Sequence, residues 1–268
     1  MQSVNLNRYI EAKHSLTEKP DPKTFFMHSH EICELFYFIS GKGTYKIEGN
    51  DYPLKSGDIL IMRPMEAHYI SIDRNFPYER FVVNFNIEIF SDIDKNGTLM
   101  LPFTKRPSGK KNLYRAEDFK DNSYRVFIEN MISGGSENSL NIIANLLPLL
   151  NEISIAFSNK NESIADDTLD SEIVRYINRN ICNELTLDGI CGKFYISKPQ
   201  LCRIFKNATG STVWNYITVK RLAIAKKLIQ NGNSPTKIYS QCGFTDYSAF
   251  YRAYHKKYGT SPSEKQKS

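Results

Sequence analysis

The residues of this chain best placed to do chemistry lie toward its C-terminal end, and the chemistry is recognition rather than bond making. Across residues 197–210, Leu201, Ile204, Phe205 and Ala208 recur at spacings of three and four, which leaves Lys198, Gln200, Arg203 and Asn207 on the other side, with Lys206 beside them. Residues 245–259 repeat the arrangement: Phe250, Ala253 and Tyr254 form an apolar stripe and leave Asp246, Tyr247, Ser248, Tyr251 and Arg252 to a partner. An arginine can bond both acceptors of a guanine edge, and neighbouring lysines can neutralise phosphates, so such faces suit the major groove of duplex DNA. The candidate DNA contacts are therefore Lys198, Pro199, Gln200, Arg203, Lys206, Asp246, Tyr247, Ser248, Tyr251 and Arg252.

Each face must be held by a short scaffold, and the sequence spells that scaffold twice. A first helix from Thr186 through Ile190 and Cys191 reaches a turn at Tyr195-Ile196; its counterpart runs from Ser234-Pro235 through Ile238 and Cys242 to Gly243-Phe244. The second helices start at Ser197, a natural N-cap with Pro199 in the first turn, and at Thr245-Asp246, and they stop at Gly210 and Gly259. This is a tandem helix-turn-helix. A continuous helix over residues 213–230, capped by Thr212, joins the two; its eighteen residues span roughly 27 Å. That length approaches the ~34 Å turn of duplex DNA, so one chain is expected to cover two consecutive major-groove segments.

Charge supports the same reading. From residue 171 onward there are 16 Lys and Arg against 5 Asp and Glu, whereas residues 1–170 hold 19 against 24. A basic C-terminal third behind an acidic remainder fits a polyanion-binding module attached to a different kind of domain. Arg221-Leu222-Ala223-Ile224-Ala225, Ile238, the run from Gly243-Phe244-Thr245-Asp246 to Arg252, and Gly259-Thr260-Ser261-Pro262 together resemble the signature of AraC/XylS-type transcription regulators over roughly the last hundred residues. Gly189 and Gly192 depart from the pattern, each costing the first unit about 1 kcal/mol relative to Ala. Pro199 and Cys202 stand where family members often carry base-contacting side chains, so readout in this half is expected to rest on Arg203 and Gln200.

With 268 residues, 41% of them apolar, the chain can build two cores. The longest apolar cluster, residues 142–157, is interrupted by Asn145, Pro148, Asn151 and Glu152 and is too short to cross a bilayer, and residues 1–8 lack an apolar signal core. Five scattered cysteines argue against a disulfide framework. A cytoplasmic protein with no membrane partner is the expectation.

The first hundred residues read as short strands. Residues 35–39, 43–47, 58–62, 68–72 and 78–85 are β-rich, divided by Ser40-Gly41-Lys42-Gly43, Glu48-Gly49-Asn50-Asp51 and Lys55-Ser56-Gly57. His28-Ser29-His30, Glu34 and Gly41, followed by Gly57-Asp58, Pro64 and His68, resemble the two motifs of the cupin barrel. In metal-binding cupins these three histidines and the glutamate converge on one divalent ion, so the resemblance implies a set suited to Zn, Mn, Fe or Ni. Arg63, Met65 and Ile72 depart from the second motif. A pocket without metal, its groups bonded to a ligand or to strand backbone, is the expectation, and no cofactor is expected. Candidate pocket residues are His28, His30, Glu34, Phe36, Tyr45 and His68, while Tyr37, Phe38 and Tyr69 add further aromatic surface.

Between the domains, residues 116–132 and 138–157 read as helices, the second kinked at Pro148 and carrying Ile143, Leu147, Leu150, Ile153 or Ser154, and Phe157 as a seam. This seam either packs on the barrel or forms a dimer, and a homodimer is the favoured expectation. The expected layout is mixed: a cupin-like β-barrel sensor (1–110), a helical dimerisation segment (111–158), a linker (159–170) and an all-α tandem helix-turn-helix domain (171–268). The function this implies is a DNA-binding transcription regulator, an activator rather than an enzyme. Its expected partners are an operator, a small effector that family resemblance makes sugar-like, and RNA polymerase. A metal-dependent cupin enzyme fused to a DNA-binding module is the alternative. Replacing Phe205 or Phe250 with Ala is expected to cost about 3–5 kcal/mol and melt its unit, whereas Arg203→Ala should leave thermal melting unchanged.

Overall fold

The computed structural model describes residues 2–6, 10–90, 92–135, 138–160 and 168–264. Strands β1 (Gln2–Leu6), β2 (Ile10–Thr17), β3 (Cys33–Ser40), β4 (Gly43–Ile47), β5 (Asn50–Pro53), β6 (Ile59–Met62), β7 (His68–Ile72), β8 (Tyr78–Phe85) and β9 (Leu113–Tyr114) make two antiparallel sheets. The larger sheet has the order β1-β2-β8-β3-β6-β9 and the smaller β5-β4-β7. Between them lie Phe36, Phe38, Tyr45, Ile47, Leu60 and Tyr78. Because successive strand residues face opposite ways, Leu35 and Tyr37 leave this interior and pack on the outer face, so Tyr37 is not a pocket residue. Tyr69 also points outward, into the cluster shared with the C-terminal domain.

The outer face of the larger sheet is covered by α1 (Leu101–Thr104), α2 (Ser123–Ser133) and α3 (Ser139–Asn159). Residues 116–118 form only a 3-10 turn, so α2 starts later than its sequence suggests. The stripe of α3 against the sheet is Ile142, Leu146, Leu149, Leu150, Ile153 and Ala156, all buried. This takes Leu150, Ile153 and Ser154 out of the expected seam; Leu140, Ile143 and Ile155 are the apolar residues left outside. By length and composition Leu140–Asn159 reaches what a bilayer crossing requires, contrary to expectation, but the buried stripe is already spent on the sheet. Leu113–Tyr114 pairs with β6 and carries the sheet past the boundary drawn at residue 110. Most of the expected linker, residues 161–167, lies outside the described residues.

The C-terminal domain comprises α4 (Leu169–Arg179), α5 (Leu187–Phe194), α6 (Lys198–Thr209), α7 (Val213–Gln230), α8 (Pro235–Ile238) and α9 (Tyr247–Tyr258). Helix α5 forms through both of its glycines, with the Thr186 side chain accepting from Gly189 N at 3.0 Å. In the second unit only one turn of helix, α8, precedes the recognition helix. The two units have separate cores, one around Leu201, Phe205 and Tyr216, the other around Leu222, Ile238 and Phe250. Arg221 ties them together: its guanidinium donates to Ile181 O at 2.7 Å, Asn183 O at 2.8 Å and Gly243 O at 2.5 Å. Gly243 has φ +85°, and a Cβ there would stand 2.7 Å from Arg221 Cζ, so the contact requires glycine on both counts.

One buried ion pair fixes the loop that enters β7. Glu66 and Arg106 are 1% and 4% exposed, and the guanidinium donates to both carboxylate oxygens, at 2.7 and 2.5 Å. Gly109 N and Asn112 Nδ2 add bonds of 2.8 and 3.1 Å. Burial alone would raise the Glu66 pKa, but the Arg106 charge and its hydrogen bonds bring it down to about 2. Arg106→Met should cost about 3–5 kcal/mol at neutral pH, because it strands a buried carboxylate. The depressed pKa contributes stability above the ordinary carboxylate value of 4.5 and loses it as pH falls toward about 2. Denaturant titrations of the two proteins should therefore show the difference shrinking across that interval.

Candidate nucleic-acid interface and effector site

Both recognition helices are capped at each end. Ser197 caps α6 and Asp246 caps α9, with the Asp246 carboxylate accepting from Ala249 N at 2.7 Å, and Gly210 and Gly259 close the helices in the left-handed conformation at φ 68° and 72°. Of the proposed contacts, Lys198, Pro199, Gln200, Arg203, Lys206, Ser248, Tyr251 and Arg252 are exposed, so the two faces are open to a duplex. Three residues have other tasks. Gln200 Oε1 accepts from Ser197 N at 3.0 Å in a capping box, which ties its side chain to the helix start. Asp246 is the cap just described. Tyr247 packs against Tyr239 and Phe250, with ring centroids 5.8 Å apart in each pair. Lys198 pairs with Asp188 at 2.8 Å. Arg203 and Arg252 are the exposed arginines of the two faces. Helix α7 spans all 18 residues of the expected connector, with Thr212 capping it, and Trp214 in its first turn is exposed.

The second constellation lies where β3 and β7 meet the His28–His30 segment, whose His28 bridges to His68. His28, His30, Glu34 and His68 offer one donor atom each, all within 4.8 Å of one another. Each imidazole has its Nδ1 against a backbone carbonyl: His28 with Phe26 O at 3.0 Å, His30 with Ile32 O at 2.9 Å and His68 with Glu66 O at 2.7 Å. A carbonyl only accepts, so each Nδ1 carries the proton and each Nε2 presents a lone pair when the ring is neutral. Glu34 Oε2 lies 2.9 Å from His30 Nε2 and 3.5 Å from His68 Nε2, and the latter is buried with no hydrogen-bond partner among the described residues.

Lone pairs on facing nitrogen and oxygen repel unless a proton or a cation lies between them, and a proton on the imidazole serves wherever Glu34 holds the ring charged. Packing around the ring, and then the adjacent His68, hold the His28 pKa down to about 4, so it is neutral near pH 7. Burial opposes charge on His68, yet the Glu34 carboxylate raises its pKa; burial likewise opposes charge on Glu34, but His68 and His30 hold it well below the usual range. Three imidazole nitrogens fixed by carbonyls and one carboxylate fit a divalent ion of the Zn, Mn, Fe or Ni type. Such an ion would supply the positive charge on which the cluster converges. Phe36 and Tyr45 lie behind it, packed on each other at 4.7 Å, and the Tyr45 hydroxyl donates to Glu34 Oε1 at 3.1 Å. The groups nearest solvent are therefore imidazoles, with His28 exposed at the rim.

A third set of residues is absent from the sequence pattern. Glu48, at the tip of the β4–β5 hairpin, is buried against α4 and α7, where it meets Asn178, Tyr216 and Lys220. The signal was present in α7: Lys220 continues the buried stripe of Val213, Tyr216 and Ile217, and a charge on such a stripe demands a partner. Nothing in the sequence pairs it with Glu48, 172 residues earlier.

Comparison with known proteins agrees with both domains. The family described as AraC-like ligand binding domain matches residues 16–150, and a helix-turn-helix domain family matches residues 190–268. The transcriptional activator RhaS of Escherichia fergusonii is 22% identical over 245 residues, 88% of this chain and 86% of its own length. The probable transcriptional regulator LumQ of Photobacterium leiognathi is 24% identical over 249 residues, 89% of this chain and 91% of its own. Among solved structures, ToxT of Vibrio cholerae aligns over 96% of this chain and 97% of that one, with 14% identity and a TM-score of 0.43. One family match spans half of the chain and a second spans the paired recognition helices, and they show that the chain belongs to the AraC family of transcription regulators.

Proposed function

We propose that this regulator reads an asymmetric operator with both units at once and activates transcription in response to an effector taken up at the histidine cluster of the barrel. The observation that carries this reading is the pairing of two open, capped recognition helices on one 18-residue connector, locked by the Arg221 bonds to carbonyls of both units. The exposed residues differ between the two faces, so the site of one chain is asymmetric rather than palindromic. Activation follows the relatives, RhaS being an activator by name, with RNA polymerase as the partner and the cytoplasm as the compartment. The effector site is the cluster of His28, His30, Glu34 and His68, with Tyr45 behind it.

Selection of bound fragments from the source genome, followed by footprinting, tests this reading. Protection of about two helical turns per monomer is expected; protection confined to one major-groove segment would show that a single unit engages. Arg203→Ala or Arg252→Ala should weaken binding to the selected site by about 1–3 kcal/mol and leave binding to random DNA nearly unchanged. Equal losses on both DNAs would make them phosphate contacts.

We further propose that the chain pairs with a second copy through the outward side of α3 and its neighbour α2, where Val126, Leu140, Ile143 and Ile155 are exposed. A tandem helix-turn-helix on each copy would then take two operator sites. Leu140→Asp combined with Ile143→Asp should convert a dimer to a monomer in sedimentation equilibrium while the circular dichroism spectrum stays that of the folded chain, since neither residue belongs to the buried stripe.

A further inference from the structure

Two carboxylates of the barrel hold the DNA-binding domain. Glu48, in the turn between β4 and β5, accepts from Lys220 Nζ at 2.6 Å, from Asn178 Nδ2 at 2.5 Å and from the Tyr216 hydroxyl. Glu31 accepts from Lys226 Nζ at 3.3 Å and from the Tyr258 hydroxyl at 3.4 Å. Beside the first of these contacts the two domains leave a cleft of about 660 Å³, room enough for a small metabolite. Its walls come from both sides: the barrel supplies the loops at 63–66 and 107–110, and the DNA-binding domain supplies α4 and part of α7.

The charge of this lining does not balance. Its two carboxylates are already met, Glu48 by Lys220 and by the Ala67 N–H at 2.6 Å, and Glu66 by both arms of the Arg106 guanidinium. Beyond those pairs the lining carries Arg63 and Lys110 from the barrel and Arg175 and Arg179 from α4, with no third carboxylate among the described residues. Arg63 Nη1 donates to Arg106 O at 3.0 Å, and its Nε stands 3.8 Å from Glu66, a carboxylate already engaged. Arg175 and Arg179 are four positions apart and so share one face of their helix. Cations gathered between low-dielectric walls focus a positive field into a cleft and draw anions to it. A phosphate monoester carries nearly twice the charge of a carboxylate and offers three acceptor oxygens, which planar guanidinium forks match. Val174, Ile181 and Ile224 give the same cleft an apolar wall.

We propose that this cleft is a second effector site, which takes a small phosphate monoester. The phosphate binds between Arg63 and Lys110 on one side and Arg175 and Arg179 on the other, and the carbon skeleton lies on Val174, Ile181 and Ile224. The site is separate from the histidine cluster, none of whose four residues lines the cleft. Its effect on DNA rests on the reading of the chain as an effector-controlled regulator. One anion shared by both domains fixes α4 on the barrel. Helix α4 is built into the core of the first unit, where Ile173, Val174 and Ile177 pack with Leu201 and Phe205 of α6. Among the described residues none of α6 or α9 lines the cleft, so the ligand steadies the first recognition helix without covering either face. Binding of the ester therefore strengthens binding of the operator.

The test uses the full chain with glucose 6-phosphate, phosphoenolpyruvate and adenosine monophosphate as esters, and glucose, hexanoate and sulfate as controls. Binding is read by isothermal titration calorimetry, and DNA affinity on the selected operator. At least one ester is expected to bind one equivalent per chain with Kd below about 1 mM, on the order of tenfold tighter than any control. Arg63→Gln and Arg179→Gln should each weaken it on the order of tenfold. Arg179 is exposed at the end of α4 and serves if Arg63→Gln disturbs its loop. Lys95→Gln, which removes an exposed charge outside the lining, should bind the ester as the unsubstituted chain does. The ester should raise operator affinity about fivefold, and the operator should raise ester affinity by the same factor. No binding of any of the three esters, binding of hexanoate or sulfate as tight as theirs, or binding that survives both cleft substitutions overturns the site. So does an equal loss in Lys95→Gln, which would mark a non-specific attraction. Ester binding with no rise in operator affinity overturns the coupling. Absence of sequence-specific DNA binding both with and without ester would instead defeat the regulator reading itself.

Discussion

A carboxylate removed from water must be met by cations and hydrogen-bond donors or it destabilises the fold by several kcal/mol, and three such carboxylates organise this protein. Glu66 meets Arg106 and fixes the loop ahead of β7. Glu48 meets Lys220, Tyr216 and Asn178 and fixes the C-terminal domain on the barrel. Glu34 meets His30 and His68 and draws the histidine cluster together. They form one system because the loop at residues 63–68 serves all of them: Glu66 is part of it, Ala67 bonds Glu48, and His68 faces Glu34. Even the ring orientation of His68 comes from this loop, through the bond from its Nδ1–H to Glu66 O.

The DNA-binding half meets a different requirement, the rigid presentation of two faces. Short helices are marginal on their own, so α6 and α9 depend on N-caps, glycine C-caps and the cores around Phe205 and Phe250. Arg221 then joins the halves with three carbonyl bonds. Among the described residues no carboxylate meets it, its guanidinium bonds go to backbone carbonyls, and burial lowers its pKa below the ordinary arginine value. Between the two domains, Met27 and Ala67 pack with Ile173, Ile177 and their neighbours on one side of the Glu48 network, whose Glu48, Asn178 and Lys220 also line an open cleft with Arg63 and Arg175.

Much of this was legible in the sequence because it depends on local periodicity. Caps, glycine stops, the apolar stripes of the recognition helices and the length of α7 are set within a few residues of one another, and they stand where the pattern put them. The strands of the smaller sheet that alternate cleanly were equally readable. The sequence pattern was weaker where it does not alternate or where two readings share one composition. Strand β2, with His14 and Lys13 among its residues, gives little signal, and residues 116–122 look helical by composition yet hold a 3-10 turn. In α3 the apolar residues outnumber one face, so periodicity could not say which of them the sheet would take.

Local pattern was enough to place a tandem helix-turn-helix behind a β-rich sensor, and to name the residue types suited to DNA contact or to the histidine cluster. Tertiary structure alone decided that Gln200 and Asp246 are engaged in capping, that Tyr37 and Tyr69 face away from the pocket, and that Glu48 and Glu31 hold the two domains together. The physical reason is range. Helix and strand preferences act between neighbours, whereas a buried carboxylate is satisfied by whichever donors the fold brings to it, and Lys220 stands 172 positions from Glu48.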